Sequence, residues 1–167
     1  MEAVGEIFAT AFPSAKTVML MTQLATAAST LNRLSDELTK EVSEIETTLN
    51  TLNLGIRAEV RAKNLESIDT YSHWLRLAYG KKAGKWGFIV EELEVDTNDP
   101  EGGTCESWLF KDSPREFRLH VVASIPALLD ALVKKSDDTA DEITKKVKFV
   151  KDLAFSFPKT SQQGSKK

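Results

Sequence analysis

His73 and His120 are the only histidines of the chain, and Cys105 is its only cysteine. A zinc-type centre draws several ligands from His, Cys and carboxylates. Neither histidine has a second histidine or a cysteine at ligand spacing. His73, next to Trp74, reads as an edge residue of a strand, and His120 as a residue on a helix surface. This pattern predicts no metal, no cofactor and no catalytic residue.

Glu91, Glu92, Glu94 and Asp96 follow the apolar run Phe88-Ile-Val. On a strand Glu92 and Glu94 share one face, and Leu93 and Val95 take the other. Paired carboxylates suit acid–base chemistry. With no nucleophile or oxyanion donors to match, they read as a solvated sheet face, and a hydrolase-type enzyme using them ranks last. Lys81, Lys82 and Lys85 stand with Tyr79 and Trp86 around a glycine-rich turn. Basic and aromatic groups together bind phosphates or stack on bases, and lysines also guard the edges of sheets. Gly80, Gly84 and Gly87 precede no helix, so they do not form a phosphate loop; they read as turn and bulge geometry. Trp74, Trp86 and Trp108 fall on three successive predicted strands. They read either as sheet core or as an exposed platform. The candidate binding residues are therefore Lys81, Lys82, Lys85, Trp86, Trp74 and Trp108.

The element that positions these groups is a hairpin, Tyr71 to Val95, in which two aromatic-rich runs flank Gly80–Gly84. Around it the pattern predicts a four-stranded antiparallel meander over 55–111. Residues 56–61 alternate as a strand, 63–70 read as a polar turn, 74–79 and 85–95 as strands, 96–104 as a loop, and 105–111 as the last strand.

Helices flank the meander. A short amphipathic helix is expected over 2–12, ended by Pro13. Ser14 then caps a long helix over 14–53, stopped by Asn53 and Gly55. Leu24, Leu31, Leu38, Ile45 and Leu52 recur every seventh residue, with Leu34, Val42 and Leu49 between them. This is a heptad-like seam. After the sheet, Ser113-Pro114-Arg115-Glu116 reads as a capped helix start. Pro126 breaks the helical segment over 113–157. Beyond it Leu129, Val133, Ser136, Ala140, Ile143, Val147, Val150, Ala154 and Phe157 form a second seam. Residues 158–167 read as a disordered tail. The expected fold is α+β, a single domain over 1–157, with the two long helices paired as an antiparallel helical hairpin or coiled coil.

Charge supports that pairing. Residues 1–55 hold 3 basic and 7 acidic residues, net −4, whereas residues 113–167 hold 11 and 7, net +4. The whole chain is at −3, which gives no electrostatic reason to expect nucleic acid or an anionic membrane. No apolar run reaches the roughly 20 residues of a membrane span. Glu2 and Glu6 stand where a secretory leader would be basic, and a lone cysteine suits a reducing compartment. The expectation is a cytoplasmic, non-enzymatic interaction or scaffold module. Its helical arms self-associate into a homodimer or higher oligomer, and a small β head recognises a protein partner. The alternative is a nucleic-acid or regulatory binder working through the basic–aromatic hairpin tip.

Overall fold

The computed structural model describes residues 14–96 and 98–156. The helix expected over 2–12, the tail expected at 158–167 and Phe157 lie outside the described residues. The chain divides into two compact units, Met1–Glu44 and Ile45–Lys167, with the division inside the first long helix.

Helix α1 runs over Ala15–Thr51. The Ser14 hydroxyl accepts from the Thr17 N–H at 3.2 Å, satisfying one of the donors that a helix start leaves open. At the other end the Leu52 and Asn53 N–H groups bond to Leu49 and Asn50, tightening the last turn. Asn53 takes φ 49° and Gly55 φ 65°, the left-handed geometry that ends helices.

Four strands follow as an antiparallel meander in the order β1-β2-β3-β4: β1 (Ala58–Ile68), β2 (Tyr71–Lys82), β3 (Lys85–Asp96) and β4 (Asp99–Leu109). The strands are longer than their sequence patterns predict. β1 continues through the polar run 63–68 because register shifts near Ala62 and Leu65 let it follow β2 to Ile68 opposite Tyr71. The hairpin turn is then only Asp69–Thr70. The glycine-rich segment 99–104, expected as loop, is the first half of β4 and pairs with Glu94 and Asp96. Backbone pairing with a neighbouring strand overrides weak intrinsic propensity in both places. The β2–β3 turn has two residues, Ala83 (φ 48°) and Gly84 (φ 83°), the geometry that matches the twist of a hairpin. Gly80 and Gly87 are not turn residues. They face one another in the register, and each makes room for a side chain: a Cβ at Gly80 would stand 3.3 Å from Arg57, and one at Gly87 would stand 3.0 Å from the Glu46 carboxylate.

After a 3₁₀ turn over Phe110–Asp112 comes α2 (Arg115–Val121), then a second 3₁₀ turn over Val122–Ser124 and α3 (Ile125–Ser156). Ser113 does not cap α2. Its hydroxyl donates to the Phe110 carbonyl at 2.8 Å and closes the preceding turn, leaving Pro114 as the cap residue. Pro126 falls in the first turn of α3, where a missing N–H leaves no bond unmade.

The core of the Ile45–Lys167 unit joins Leu75, Leu77, Tyr79, Phe88 and Val90 of the sheet to Phe110, Val121, Ile125, Leu128 and Leu132. Along the start of α3 the buried positions are Ile125, Leu128 and Leu132, while Val133 is 62% exposed. The seam expected through Leu129 and Val133 is therefore displaced by one residue there, because the first turns of α3 pack on β1 and β2. Further along, Ile143, Val147, Phe149, Val150, Leu153 and Phe155 are exposed. On α1, Val18, Met21, Leu24, Leu31 and Leu34 are exposed as well. No helix among the described residues is long and apolar enough to cross a membrane.

Candidate functional site

Antiparallel register decides which side chains meet, because cross-strand partners share a face and alternate residues do not. One face carries His73, Leu75, Leu77 and Tyr79 of β2, Trp86, Phe88, Val90, Glu92 and Glu94 of β3, and Thr104, Glu106 and Trp108 of β4. The other carries Trp74, Arg76 and Ala78 of β2 with Ile89, Glu91 and Leu93 of β3. The three tryptophans therefore form no common platform. Trp86 stacks on Tyr79 at 5.6 Å, and Trp108 tilts against Phe117 of α2 at 5.8 Å. Trp74 lies on the opposite face with the Arg61 guanidinium 4.5 Å from its ring centroid. All three are half-buried.

The three lysines are likewise separated. Lys81 pairs with Trp86 across the strands, while Lys82 pairs with Lys85 on the other face. Lys82 donates to the Ser107 hydroxyl at 2.6 Å. Beside the hairpin tip, Asn50, Asn53, Leu54, Gly55, Tyr79, Lys85 and Trp86 line an open cleft of about 360 Å³. Its wall is held by the Tyr79 hydroxyl donating to Asn50 Oδ1 at 2.7 Å, and by Asn50 Nδ2 donating to the Trp86 carbonyl at 3.3 Å. Burial, and secondarily the Glu46 charge, push the Tyr79 phenol above its ordinary pKa.

Glu46, on the last part of α1, accepts from the Phe88 N–H at 2.5 Å, next to the end of the β3–β4 ladder. Burial raises its carboxyl above the ordinary value of 4.5, opposed by that hydrogen bond and by the charge of Lys111. A folded-state pKa above the unfolded one makes the folded chain the better proton binder. The associated stability is complete below 4.5 and is lost as pH rises through the raised value. Glu46→Gln, which keeps an acceptor without the charge, is expected to flatten that acid-side dependence in urea titrations and to be no less stable at neutral pH. Glu46→Ala leaves the Phe88 N–H without its acceptor and is expected to lose about 1–2 kcal/mol.

Two acidic groupings flank β3, and they differ in how they are compensated. On one face Glu91 is buried between two arginines. Arg76 Nε donates to it at 2.6 Å and Arg57 Nη2 at 2.7 Å, and both arginines also bond to Glu59. The hydrogen bond to Glu91 raises the Arg57 pKa. On the other face His73 stands between Glu92 and Glu94, with its Nε2 2.8 Å from one carboxylate and 3.9 Å from the other. Thr104 donates to Glu94 at 3.3 Å. The Tyr71 ring lies 6.5 Å from the imidazole. Desolvation pushes the Tyr71 phenol upward, helped by the charges of Glu94, Glu66 and Glu92.

The sequence reading treats His73 as a lone edge residue and misses this grouping. The ligand spacing it looks for is one within a helix or loop, whereas these side chains converge across a hairpin, with His73 directly opposite Glu94. The local signal for this convergence is the two-residue turn Ala83–Gly84, which sets Tyr71 opposite Asp96 and His73 opposite Glu94. Among the described residues the ion-pair partner of His120 is Glu116, at 3.6 Å one helical turn away. Cys105 is exposed, paired in the register with Leu93.

No family model, no curated protein and no solved structure matches this chain.

Proposed function

We propose that the chain is a non-enzymatic, cytoplasmic assembly module. The apolar stripes of α1 and α3 are covered in a helical bundle formed with a second copy of the chain, in which the long helices pair in antiparallel coiled-coil fashion. The observation that carries this reading is the exposure of the α3 stripe. Ile143, Val147 and Val150 are 57%, 46% and 58% exposed, and with Glu142, Lys146 and Lys151 they line a shallow apolar groove of about 390 Å³. Contiguous apolar surface of this kind is characteristic of an interface. Each such side chain contributes about 1.5–3 kcal/mol when fully buried.

Charge favours pairing of α1 with α3 within that bundle. Lys145, Lys146, Lys148 and Lys151 follow the α3 stripe, and Asp36, Glu37, Glu41 and Glu44 follow that of α1. Two copies bring both signs together, and such complementarity sets pairing and register. The unpaired Cys105 suits a reducing compartment. Recognition of a protein partner falls to the cleft beside Lys85 and Trp86.

In sedimentation velocity the full chain is expected to run as a dimer. The triple substitution Ile143→Asp, Val147→Asp, Val150→Asp is expected to shift it to monomer while helical circular dichroism is retained. A wild-type chain that stays monomeric across the micromolar range refutes self-association, and a dimer that survives the triple substitution refutes the role given to α3. The alternative, nucleic-acid binding at the hairpin tip, gains less support. The register puts Lys81 and Lys85 on opposite faces, and Lys82 is engaged by Ser107.

A further inference from the structure

We propose that His73, Glu92 and Glu94 form a binding site for a divalent transition-metal cation of the Zn2+ type. The site is independent of the assembly reading, since it uses none of the residues of the helical stripes.

The geometry is the first support. One ligand atom from each residue, a ring nitrogen and two carboxylate oxygens, falls within 4.8 Å of both others. In tetrahedral zinc, ligands at roughly 2.0–2.2 Å from the ion stand about 3.3 Å apart. The separations from His73 Nε2, 2.8 Å and 3.9 Å, bracket that value. The side chains are 18%, 22% and 41% exposed, sheltered but open to an ion from solvent. Three protein ligands with further positions open is an ordinary arrangement for zinc.

The second support is the electrostatic asymmetry of the sheet. On the opposite face, Glu91 and Glu59 are neutralised by Arg57 and Arg76. Among the described residues no arginine pairs with the carboxylates around His73. Glu92 stands directly opposite Glu106, and Glu66 opposite His73. Like charges facing one another across strands destabilise a sheet. Among the described residues the ion-pair partner of both Glu92 and Glu94 is the single imidazole. Glu92, Glu94 and Glu106 thus concentrate negative charge on this face of the sheet. A cation of charge two relieves it where one imidazole does not. The imidazole in turn selects a borderline ion over Mg2+ or Ca2+, which prefer oxygen ligands throughout. Thr104, donating to Glu94, orients a ligand as outer partners do in metal sites.

The test is calorimetric titration of the full chain with Zn2+ and, separately, with Mg2+. The expected result is one Zn2+ per chain at micromolar or tighter affinity, with Mg2+ far weaker. His73→Gln, Glu92→Gln and Glu94→Gln should each weaken Zn2+ binding by at least about tenfold, while Cys105→Ser and His120→Gln leave it unchanged. Thermal unfolding without metal identifies any variant that fails to fold. For such a variant, a Zn2+-induced rise in the wild-type melting temperature that disappears in His73→Gln stands as the readout. Three results overturn the proposal: no uptake by the wild type, uptake that survives His73→Gln, or uptake lost with Cys105→Ser. If Mg2+ binds as tightly as Zn2+, an unselective acidic surface replaces it.

Discussion

Arg76→Met is expected to lower the unfolding free energy by about 3 kcal/mol, the lower end of the range for stranding one member of a buried ion pair. The Glu91 side chain is 8% exposed and is paired with two guanidinium groups. Arg76 is the better anchored of the two, with its side chain 25% exposed against 42% for Arg57. It also bridges Glu91 to Glu59, at 2.6 Å and 2.7 Å. Its removal leaves Glu91 desolvated with only the more exposed Arg57 as partner. Arg57→Met is expected to matter less, about 1 kcal/mol, because half-exposed pairs are screened by water. Arg76→Lys does not restore the wild type, since an ammonium lacks the planar fork that reaches two carboxylates. The double change Arg76→Met, Glu91→Leu is expected to recover most of the loss, because no unpaired charge remains. Urea unfolding of the four variants orders them, and an Arg57→Met that costs more than Arg76→Met would show that the anchor has been misassigned.

Phe88→Ala is expected to cost about 3–5 kcal/mol, the usual range for deleting a buried aromatic ring. Phe88 is 0% exposed in the first half of β3 and meets Tyr79 edge-on at 6.1 Å. The edge-on pair adds roughly 0.5–1.5 kcal/mol beyond burial alone. Against a total of about 5–15 kcal/mol for a domain, this is enough to populate the unfolded state under mild conditions. Phe88→Leu keeps most of the volume and is expected to cost about 1.5 kcal/mol or less. Leu119→Ala is the control: Leu119 is 59% exposed on α2 and should change stability by no more than about 0.5 kcal/mol. A Phe88→Ala protein that unfolds like the control would place the core elsewhere than at β2 and β3.

The helices and strands were largely legible as types, because periodicity is a local property. Ser14 caps α1, Asn53 and Gly55 end it, and Pro126 falls at the start of α3, as the residues themselves indicate. The strand ends were less legible. Polar residues 63–68 and the glycine-rich run 99–104 have weak strand propensity, yet they pair because β2 and β3 offer open hydrogen-bonding groups beside them. That extension brought Glu66 opposite His73 and Thr104 opposite Glu94. The β2–β3 register, set by the Ala83–Gly84 turn, places Trp74 on the face away from Trp86 and Trp108.

The residues alone determined the element order, the antiparallel meander of four strands and the amphipathic character of the two long helices. All of these follow from spacing along the chain. Tertiary structure decided which side chains share a face and how their charges are balanced. A shift of one residue in register exchanges the two faces of a strand, and the register here is set by which two residues form the tight turn, Ala83–Gly84, rather than by the alternation of the strands. Burial of Glu91 between two arginines and convergence of His73 with Glu92 and Glu94 are products of that register. Glu91, Glu92 and Glu94 are near neighbours in the chain, yet pleating turns Glu91 to the arginines and the other two to the histidine.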